Sequence, residues 1–326
     1  MGKVRVGVVG VGNLGQHHAR IYAESNRCEL VGVVDINQQR ARQIAHQHKT
    51  KPYYDYRDIV DSVDAVNIVV PTVAHHDITQ EFLKAGVHVL VEKPICNTVD
   101  EADDLVKLAT GKGLILQVGH IENFNVAVQR LKEVVSQPLF IESHRLGGFQ
   151  PRVKDVGVVM DLMIHDIDIV LRIVNSRIKT IEAVGVPVLT EKEDIANARI
   201  IFENGCTANI NVSRVAHKEM RKIRLFQRDT YISLDYKRQY MDVYNKVPVD
   251  APAPGMPPAK IVHKRVRFKK AEPLKLELDH FLDCVESGGC PIVNGQQARS
   301  ALQVAIEVSQ MIKKRIDELT SLHQQV

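Results

Sequence analysis

The residues with the most chemistry to offer sit in a run that is otherwise apolar, Asp161-Leu162-Met163-Ile164-His165-Asp166-Ile167-Asp168. At helical spacing Asp161, His165 and Asp168 share one face. A polar line on an apolar helix is costly unless its members are paired. A histidine beside a carboxylate can serve as a general base, because its unperturbed pKa lies near about 6.5 and the acid stabilises the imidazolium. The same residues could ligate a metal or satisfy one another structurally. Further ligands in metal geometry are not evident, so no metal is expected. The second candidate is Val87-His88-Val89-Leu90-Val91-Glu92-Lys93-Pro94, a β-branched apolar run that stops on a carboxylate, an ammonium and a proline. Such a run suits a parallel strand covered on both faces. Pro94 keeps Lys93 out of the helical region, so a stiff backbone aims its side chain. The plain alternative is a strand that ends in a solvated Lys-Pro turn.

A third stretch supplies a place for phosphates. Val4 to Val9 reads as a strand, Gly10-Val11-Gly12-Asn13-Leu14-Gly15 follows at once, and Gln16 to Glu24 is compatible with a helix. In this context Gly10 permits the tight turn, Gly12 lets the backbone approach a pyrophosphate, and Gly15 lets the helix pack close to the strand. The helix N-terminus offers unpaired N–H groups and the positive end of its dipole. A second strand, Leu30 to Val34, ends in Asp35, an acid about 20 residues past the motif and so placed for ribose hydroxyls. Its charge would repel a 2′-phosphate, so NAD is expected over NADP. Arg40 and Arg42 lie further along the next helix and leave NADP as the alternative.

Strands and helices keep alternating through the first part of the chain. Asp64 to Val70 reads as a buried strand that runs into Pro71-Thr72-Val73-Ala74-His75-His76. His75, at a strand's carboxyl end, could touch a cofactor, whereas His76 reads as structural or solvated. A capping box at Thr98-Val99-Asp100-Glu101 starts a helix to about Ala109, and Leu114 to Val118 is a further strand. The pattern predicts an α/β domain with a doubly wound parallel sheet over 1–120. The alternation stops at Gly119-His120-Ile121-Glu122-Asn123-Phe124. Strands joined by turns follow, including a hairpin signal at Asn204-Gly205, so 121–326 is expected to be an α+β domain with an antiparallel sheet. Amphipathic helices at Leu276 to Val285 and Gln296 to Ile316 close the chain and could pack back on the first domain.

Composition excludes several classes. The 326 residues carry 44% hydrophobic and 25% charged side chains, ordinary for a soluble two-domain protein. A net charge of +4 from 43 basic and 39 acidic residues does not by itself suggest nucleic-acid binding. Cys28, Cys96, Cys206, Cys284 and Cys290 form no CxxC pair and suggest reduced cytosolic thiols. No apolar run approaches membrane-spanning length, and Met1 to Val6 lacks a signal-peptide core, so a cytoplasmic protein without membrane insertion is expected. The basic stretch Lys260 to Lys270 reads as an exposed strand whose lysines discourage edge pairing. Attraction of phosphorylated substrates is the alternative.

Together, Gly10-Val11-Gly12-Asn13-Leu14-Gly15, Asp35, Pro71 with His75, Glu92-Lys93-Pro94 and Asp161-x-x-x-His165-x-x-Asp168 resemble the Gfo/Idh/MocA family of nicotinamide-dependent sugar and cyclitol dehydrogenases. The resemblance covers nearly the whole chain. It implies a Rossmann domain, an open-faced antiparallel sheet domain, a homodimer or homotetramer assembled through that sheet, and a Lys93–Pro94 bond that can be cis. It assigns cofactor contacts to Gly10, Gly12, Asn13, Leu14, Gly15, Asp35, Pro71, Thr72, His75, Glu92 and Lys93, and proton chemistry to Lys93, His165 and Asp161. Substrate contacts are expected from Lys93, Asn123, Arg152, Asp161 and His165, with Arg145 and Arg152 read either as pyrophosphate partners or as solvated surface arginines. The strings Val118 to Asn125 and Asp155 to Asp168 look like a branch that oxidises the 3-hydroxyl of UDP-N-acetylglucosamine, feeding lipid A or surface-polysaccharide synthesis. A free sugar or cyclitol such as inositol is the alternative substrate, and a non-catalytic NAD or metabolite sensor the alternative of another class. The chain departs from the commoner family pattern at Asn123-Phe124, where many members have Arg-Phe, and retains only Gly157 of a glycine-rich run before the Asp.

Overall fold

The computed structural model describes residues 2–150, 155–250 and 255–323. The chain divides into two units, residues 1–124 with 272–303 and residues 125–271 with 304–326.

The first unit alternates strand and helix: β1 (Val4–Val9), α1 (Gly15–Glu24), β2 (Cys28–Val34), α2 (Gln38–His48), β3 (Lys51–Tyr53), β4 (Ala65–Ile68), α3 (His75–Lys84), β5 (His88–Glu92), α4 (Val99–Lys112) and β6 (Leu116–Gly119). Its six strands are all parallel in the order β3-β2-β1-β4-β5-β6. The order reverses between β1 and β4, which opens a crevice beyond the strand ends. Buried Val, Ile and Leu on β1, β4 and β5 explain why these strands read as continuous apolar runs. Thr98 and Glu101 form the reciprocal cap of α4, and Gly113 in the left-handed region ends it. β3 was not expected from the sequence. It is a three-residue edge strand containing Pro52, and proline is tolerated at an edge because its missing N–H costs no ladder bond there.

The second unit is built on α5 (Val126–Val134), β7 (Phe140–Leu146), a π-helical turn at Val159–Met163 leading into α6 (Ile164–Val174), and the strands β8 (Ile178–Val186), β9 (Ile195–Phe202), β10 (Thr207–Ser213), β11 (Met220–Phe226), β12 (Thr230–Asp235), β13 (Tyr240–Pro248) and β14 (Ala259–Arg267). They form one eight-stranded sheet in the order β14-β13-β12-β11-β7-β10-β9-β8, antiparallel apart from the β7–β10 pair. The Asn204-Gly205 hairpin forms as expected, with Gly205 at φ 87°. The basic stretch lies mainly on β14, an exposed edge strand, where charge protects against unwanted pairing. One face of this sheet is apolar and buried through Ile141, Ala208, Ile210, Ile223, Leu225, Ile232 and Leu234. The other carries a ladder of rings, Phe140, Phe226, Tyr231, Tyr244 and His263, with successive centroids 5.5, 4.7, 5.1 and 4.5 Å apart.

The chain then returns to the first unit. α7 (Pro273–Ser287) starts on proline and ends at Gly288, and α8 (Gly295–His323) begins in the first unit and ends in the second. Leu278, Phe281 and Leu282 of α7 join the core cluster that holds Val6, Val8, Tyr22 and Val33. Each such buried side chain contributes about 1.5–3 kcal/mol. Between the two helices Val293 accepts a hydrogen bond from Val118 N–H at 3.0 Å, extending β6.

Candidate active site

The glycine turn behaves as its spacing predicts, and each glycine has a different steric reason. Gly10 sits at φ 86°, and a β-carbon there would stand 2.4 Å from the Val69 carbonyl oxygen. At Gly15 it would overlap the Gly10 carbonyl oxygen at 1.8 Å. At Gly12 it would meet nothing within 4 Å, so this position faces open space and leaves the backbone accessible to a ligand. Among the described residues α1 has no side-chain cap; the Gln16 and His17 N–H groups donate to the Gly12 and Leu14 carbonyls at 3.3 and 2.9 Å. Asn13 and Leu14 are exposed at this turn.

Asp35 closes the loop from the side. Its Oδ2 accepts the Val11 N–H at 3.0 Å and its Oδ1 the Asn37 N–H at 2.8 Å, so the carboxylate is held at the tip of β2 with acceptor capacity to spare. Arg40 folds back on the same loop, donating to the Val11 carbonyl at 2.8 Å and to Gln16 Oε1 at 2.8 Å. A cavity of about 500 Å³ opens at the point where the strand order reverses, bordered by Gly10, Gly12, Asp35, Tyr54 and Pro71. A glycine turn open at Gly12, an acid fixed at the end of β2 and this cavity fit the phosphates and ribose of a dinucleotide. No member of this set is a metal ligand cluster: among the described residues no group of three His, Cys, Asp or Glu could hold a metal ion.

β5 delivers Glu92 and Lys93 at its carboxyl end, and the Lys93–Pro94 bond is cis. Glu92 Oε2 accepts the Lys93 N–H at 3.2 Å. Its Oε1 lies 3.3 Å from His18 Nε2. The carboxylate rests against Gly119 of β6, where a β-carbon would be 2.8 Å from Cδ. His75 is 1% exposed, with Nδ1 2.8 Å from the Pro94 carbonyl and Nε2 2.9 Å from the Val70 carbonyl. It therefore ties the turn after β4, which holds Pro71 and Thr72, to the turn after β5. His76 is tied up at the surface with Asp77 and Asp104. Asn123 is buried and donates its side-chain N–H to the His120 carbonyl at 3.1 Å. The Cys96 thiol, three residues past Lys93, is buried and pushed up to about 12 by desolvation, so it is not a nucleophile here.

In the second unit the apolar run around His165 divides its acids between two tasks. Asp166 is 1% exposed and bound by Ser143 Oγ at 2.7 Å and Arg145 Nε at 2.6 Å. Arg145 is thus a buried partner of Asp166, 4% exposed, and not a solvated arginine. Asp168 is 2% exposed and pairs with Arg172 at 3.2 Å. Lys132 lies near this pair, and desolvation with the Arg172 charge pulls it down to about 8. Asp161 and His165 remain half-buried. Asp161 stands in the π-helical turn, so a regular α-helical repeat does not set the step from Asp161 to His165. Arg152 lies outside the described residues.

Sequence reasoning missed the polar groups behind Glu92. His18, Asn67, Gln117 and Glu277 are each 0% exposed. The available signal was a polar side chain at core-facing positions of otherwise apolar elements: His18 between Gly15 and Tyr22 on α1, Asn67 inside β4, and Glu277 between Leu274 and Phe281 on α7.

Residues 4–120 match the oxidoreductase family with an NAD-binding Rossmann fold, and residues 135–232 match the Gfo/Idh/MocA C-terminal domain. The chain belongs to the Gfo/Idh/MocA family. It is an oxidoreductase that uses a nicotinamide cofactor. It is 35% identical over 306 residues to the UDP-N-acetylglucosamine 3-dehydrogenase of Acidithiobacillus ferrooxidans, covering 94% of this chain and 96% of that protein. A solved structure of that enzyme superposes with a TM-score of 0.89 at 33% identity, covering 96% of this chain and 99% of the other. The scyllo-inositol 2-dehydrogenase (NAD⁺) of Bacillus subtilis is 26% identical over 326 residues, covering 93% of this chain and 92% of that protein. Among the described residues no helix is long and apolar enough to cross a membrane.

Proposed function

We propose that this protein oxidises the 3-hydroxyl of UDP-N-acetylglucosamine, or of a closely similar nucleotide-linked amino sugar, to a ketone with NAD⁺. The full-length likeness to a UDP-N-acetylglucosamine 3-dehydrogenase, 35% identical over 94% of this chain, carries the substrate assignment. Asp35 supports NAD⁺ over NADP⁺, because its carboxylate suits ribose hydroxyls and repels a 2′-phosphate. Gly10, Gly12, Asn13, Leu14 and Gly15 would hold the pyrophosphate, Asp35 the adenosine ribose, and Pro71, Thr72 and Glu92 the remainder of the cofactor. Bound there, the nicotinamide supplies the two-electron acceptor for the hydrogen on the carbinol carbon.

The chain's own residues handle the proton. His165 accepts it from the sugar hydroxyl, and Asp161 orients the imidazole and stabilises its charged form. The Lys93 ammonium donates a hydrogen bond to the same oxygen and stabilises the negative charge that develops as the C–H bond breaks. Glu92 and His75 hold the turns that present Lys93 and Pro71, and Asn123 and Arg152 contribute to substrate binding. The ring ladder on the open sheet face supports self-association into a homodimer or homotetramer.

The test is NADH formation at fixed NAD⁺ with a panel of UDP-sugars, free amino sugars and inositols, repeated with NADP⁺. UDP-N-acetylglucosamine should give the highest kcat/KM, and NAD⁺ should exceed NADP⁺. Preference for a free inositol, the activity named for the Bacillus subtilis relative, would overturn the substrate. NAD⁺ binding without turnover of any sugar would overturn catalysis.

A further inference from the structure

A directional hydrogen-bond chain runs through the first unit to His18, whose ring lies beside Glu92. The Tyr22 hydroxyl donates to Asn67 Oδ1 at 2.9 Å. Asn67 Nδ2 donates to His18 Nδ1 at 2.8 Å. With Nδ1 used as an acceptor, the ring proton belongs on Nε2, which lies 3.3 Å from Glu92 Oε1. The chain therefore ends with the His18 ring edge beside the Glu92 side chain. Glu277 of α7 is 0% exposed, with neither carboxyl oxygen bonded to a protein group. Its helix is pinned there, since Gln117 of β6 donates to the Glu277 backbone carbonyl at 3.2 Å.

A fully buried carboxyl group without a hydrogen-bond partner is costly to charge, and more so near a second carboxylate. We propose that Glu277 is a positioning residue of the cofactor site: it remains a neutral acid behind Glu92, so that the two carboxyl groups hold one negative charge and one proton at the end of β5. Desolvation pushes the Glu277 carboxyl well above the usual carboxylate range, and the Glu92 charge pushes it the same way.

The groups around Glu277 agree with this division. α1, which packs on α7, carries Arg20, His18 and Tyr22. Arg20 is taken up by Glu272, and Tyr22 is itself held neutral by burial. The 3-10 turn after β6, which also packs on α7, carries Glu122, and α7 itself carries Asp279 and His280. The charge that acts on Glu277 is that of Glu92. Ionisation of Glu277 at alkaline pH would place a second charge in the pocket and drive Glu92 away from the Lys93 N–H and Gly119. The cofactor end of β5 would then lose its shape. The inference rests on the nicotinamide site and is independent of which sugar is oxidised.

The experiment compares wild type, Glu277→Gln and Glu277→Ala with NAD⁺ as the probe. An infrared difference spectrum between wild type and Glu277→Gln at neutral pH should show a protonated carboxyl band that the variant lacks. Calorimetric NAD⁺ affinity of the wild type should fall at alkaline pH, by up to about tenfold per pH unit past the transition. Glu277→Gln, neutral at every pH, should hold its affinity over the same range. Should Glu277→Ala fail to fold, the near-isosteric Gln variant still decides the matter. A merely structural Glu277 would change stability and leave the two pH curves parallel. Absence of the acid band, or superimposable curves, overturns the proposal. Failure of UDP-N-acetylglucosamine to react would leave both readouts intact and count against the substrate alone.

Discussion

The Glu92 carboxylate lies directly against the α-carbon of Gly119, so close that a β-carbon there would be 2.8 Å from Glu92 Cδ and 2.9 Å from Oε1. The two residues are register partners on β5 and β6. Gly119 is thus the reason a charged side chain fits at this strand end.

Gly119→Ala should push Glu92 out of its position between His18 and the Lys93 N–H. Overpacking of this kind costs about 1–3 kcal/mol, which urea unfolding would report. NAD⁺ affinity should fall with it. Unchanged affinity and stability would show that Glu92 is free to move.

The glycine turn separates binding from folding. Gly12 faces open space, whereas a β-carbon at Gly15 would overlap the Gly10 carbonyl at 1.8 Å. Gly12→Ala should therefore keep the cofactor-free melting temperature and weaken NAD⁺ binding. Gly15→Ala should lower the melting temperature even without cofactor. Thermal unfolding with and without NAD⁺ distinguishes the two.

Acid sensitivity should trace to Asp194 in the second unit. Burial opposes its charge, but the N–H groups of Val188, Leu189 and Thr190 and the Arg214 guanidinium outweigh it and hold the carboxyl well below the usual range. A depressed carboxyl stabilises the fold above its unfolded pKa of about 4, and that stability is lost as pH falls toward the folded value. Asp194→Asn removes the charge that Asp194 sets against the buried Arg214 guanidinium and should cost about 3–5 kcal/mol at neutral pH. Its stability should also fall less steeply than that of the wild type in the acid range, as measured by urea midpoints at several pH values.

Tyr231 is stacked between Phe226 at 4.7 Å and Tyr244 at 5.1 Å on the sheet face opposite the apolar core. Light scattering should give a dimer or tetramer for the wild type. Tyr231→Glu should shift it toward monomer while circular dichroism stays unchanged. A monomeric wild type would remove the self-association proposal.

Much of the first unit could be read from the sequence because fully buried parallel strands must be apolar throughout, and the turns between them have fixed chemistry. Gly10, Gly12, Gly15, Asp35 and the Thr98–Glu101 cap all follow from local rules. β3 was hidden by its three-residue length and Pro52. The π-helical turn at Val159–Met163 was hidden because hydrophobic spacing does not distinguish it from an α-helical turn. Arg145 misled in a different way. A lone arginine in an alternating strand looks solvated until its buried partner, Asp166, is located 21 residues away. Glu277 is the same lesson at longer range, since the charge that makes it consequential is Glu92, on a different element of the same unit.

The account is tested most directly by following NADH absorbance with NAD⁺ and UDP-N-acetylglucosamine for the wild type, Lys93→Ala and His165→Ala, with NAD⁺ affinity measured in parallel. Each substitution should cut kcat by about 10²–10⁴-fold while NAD⁺ still binds. Near-normal turnover in both variants would contradict it.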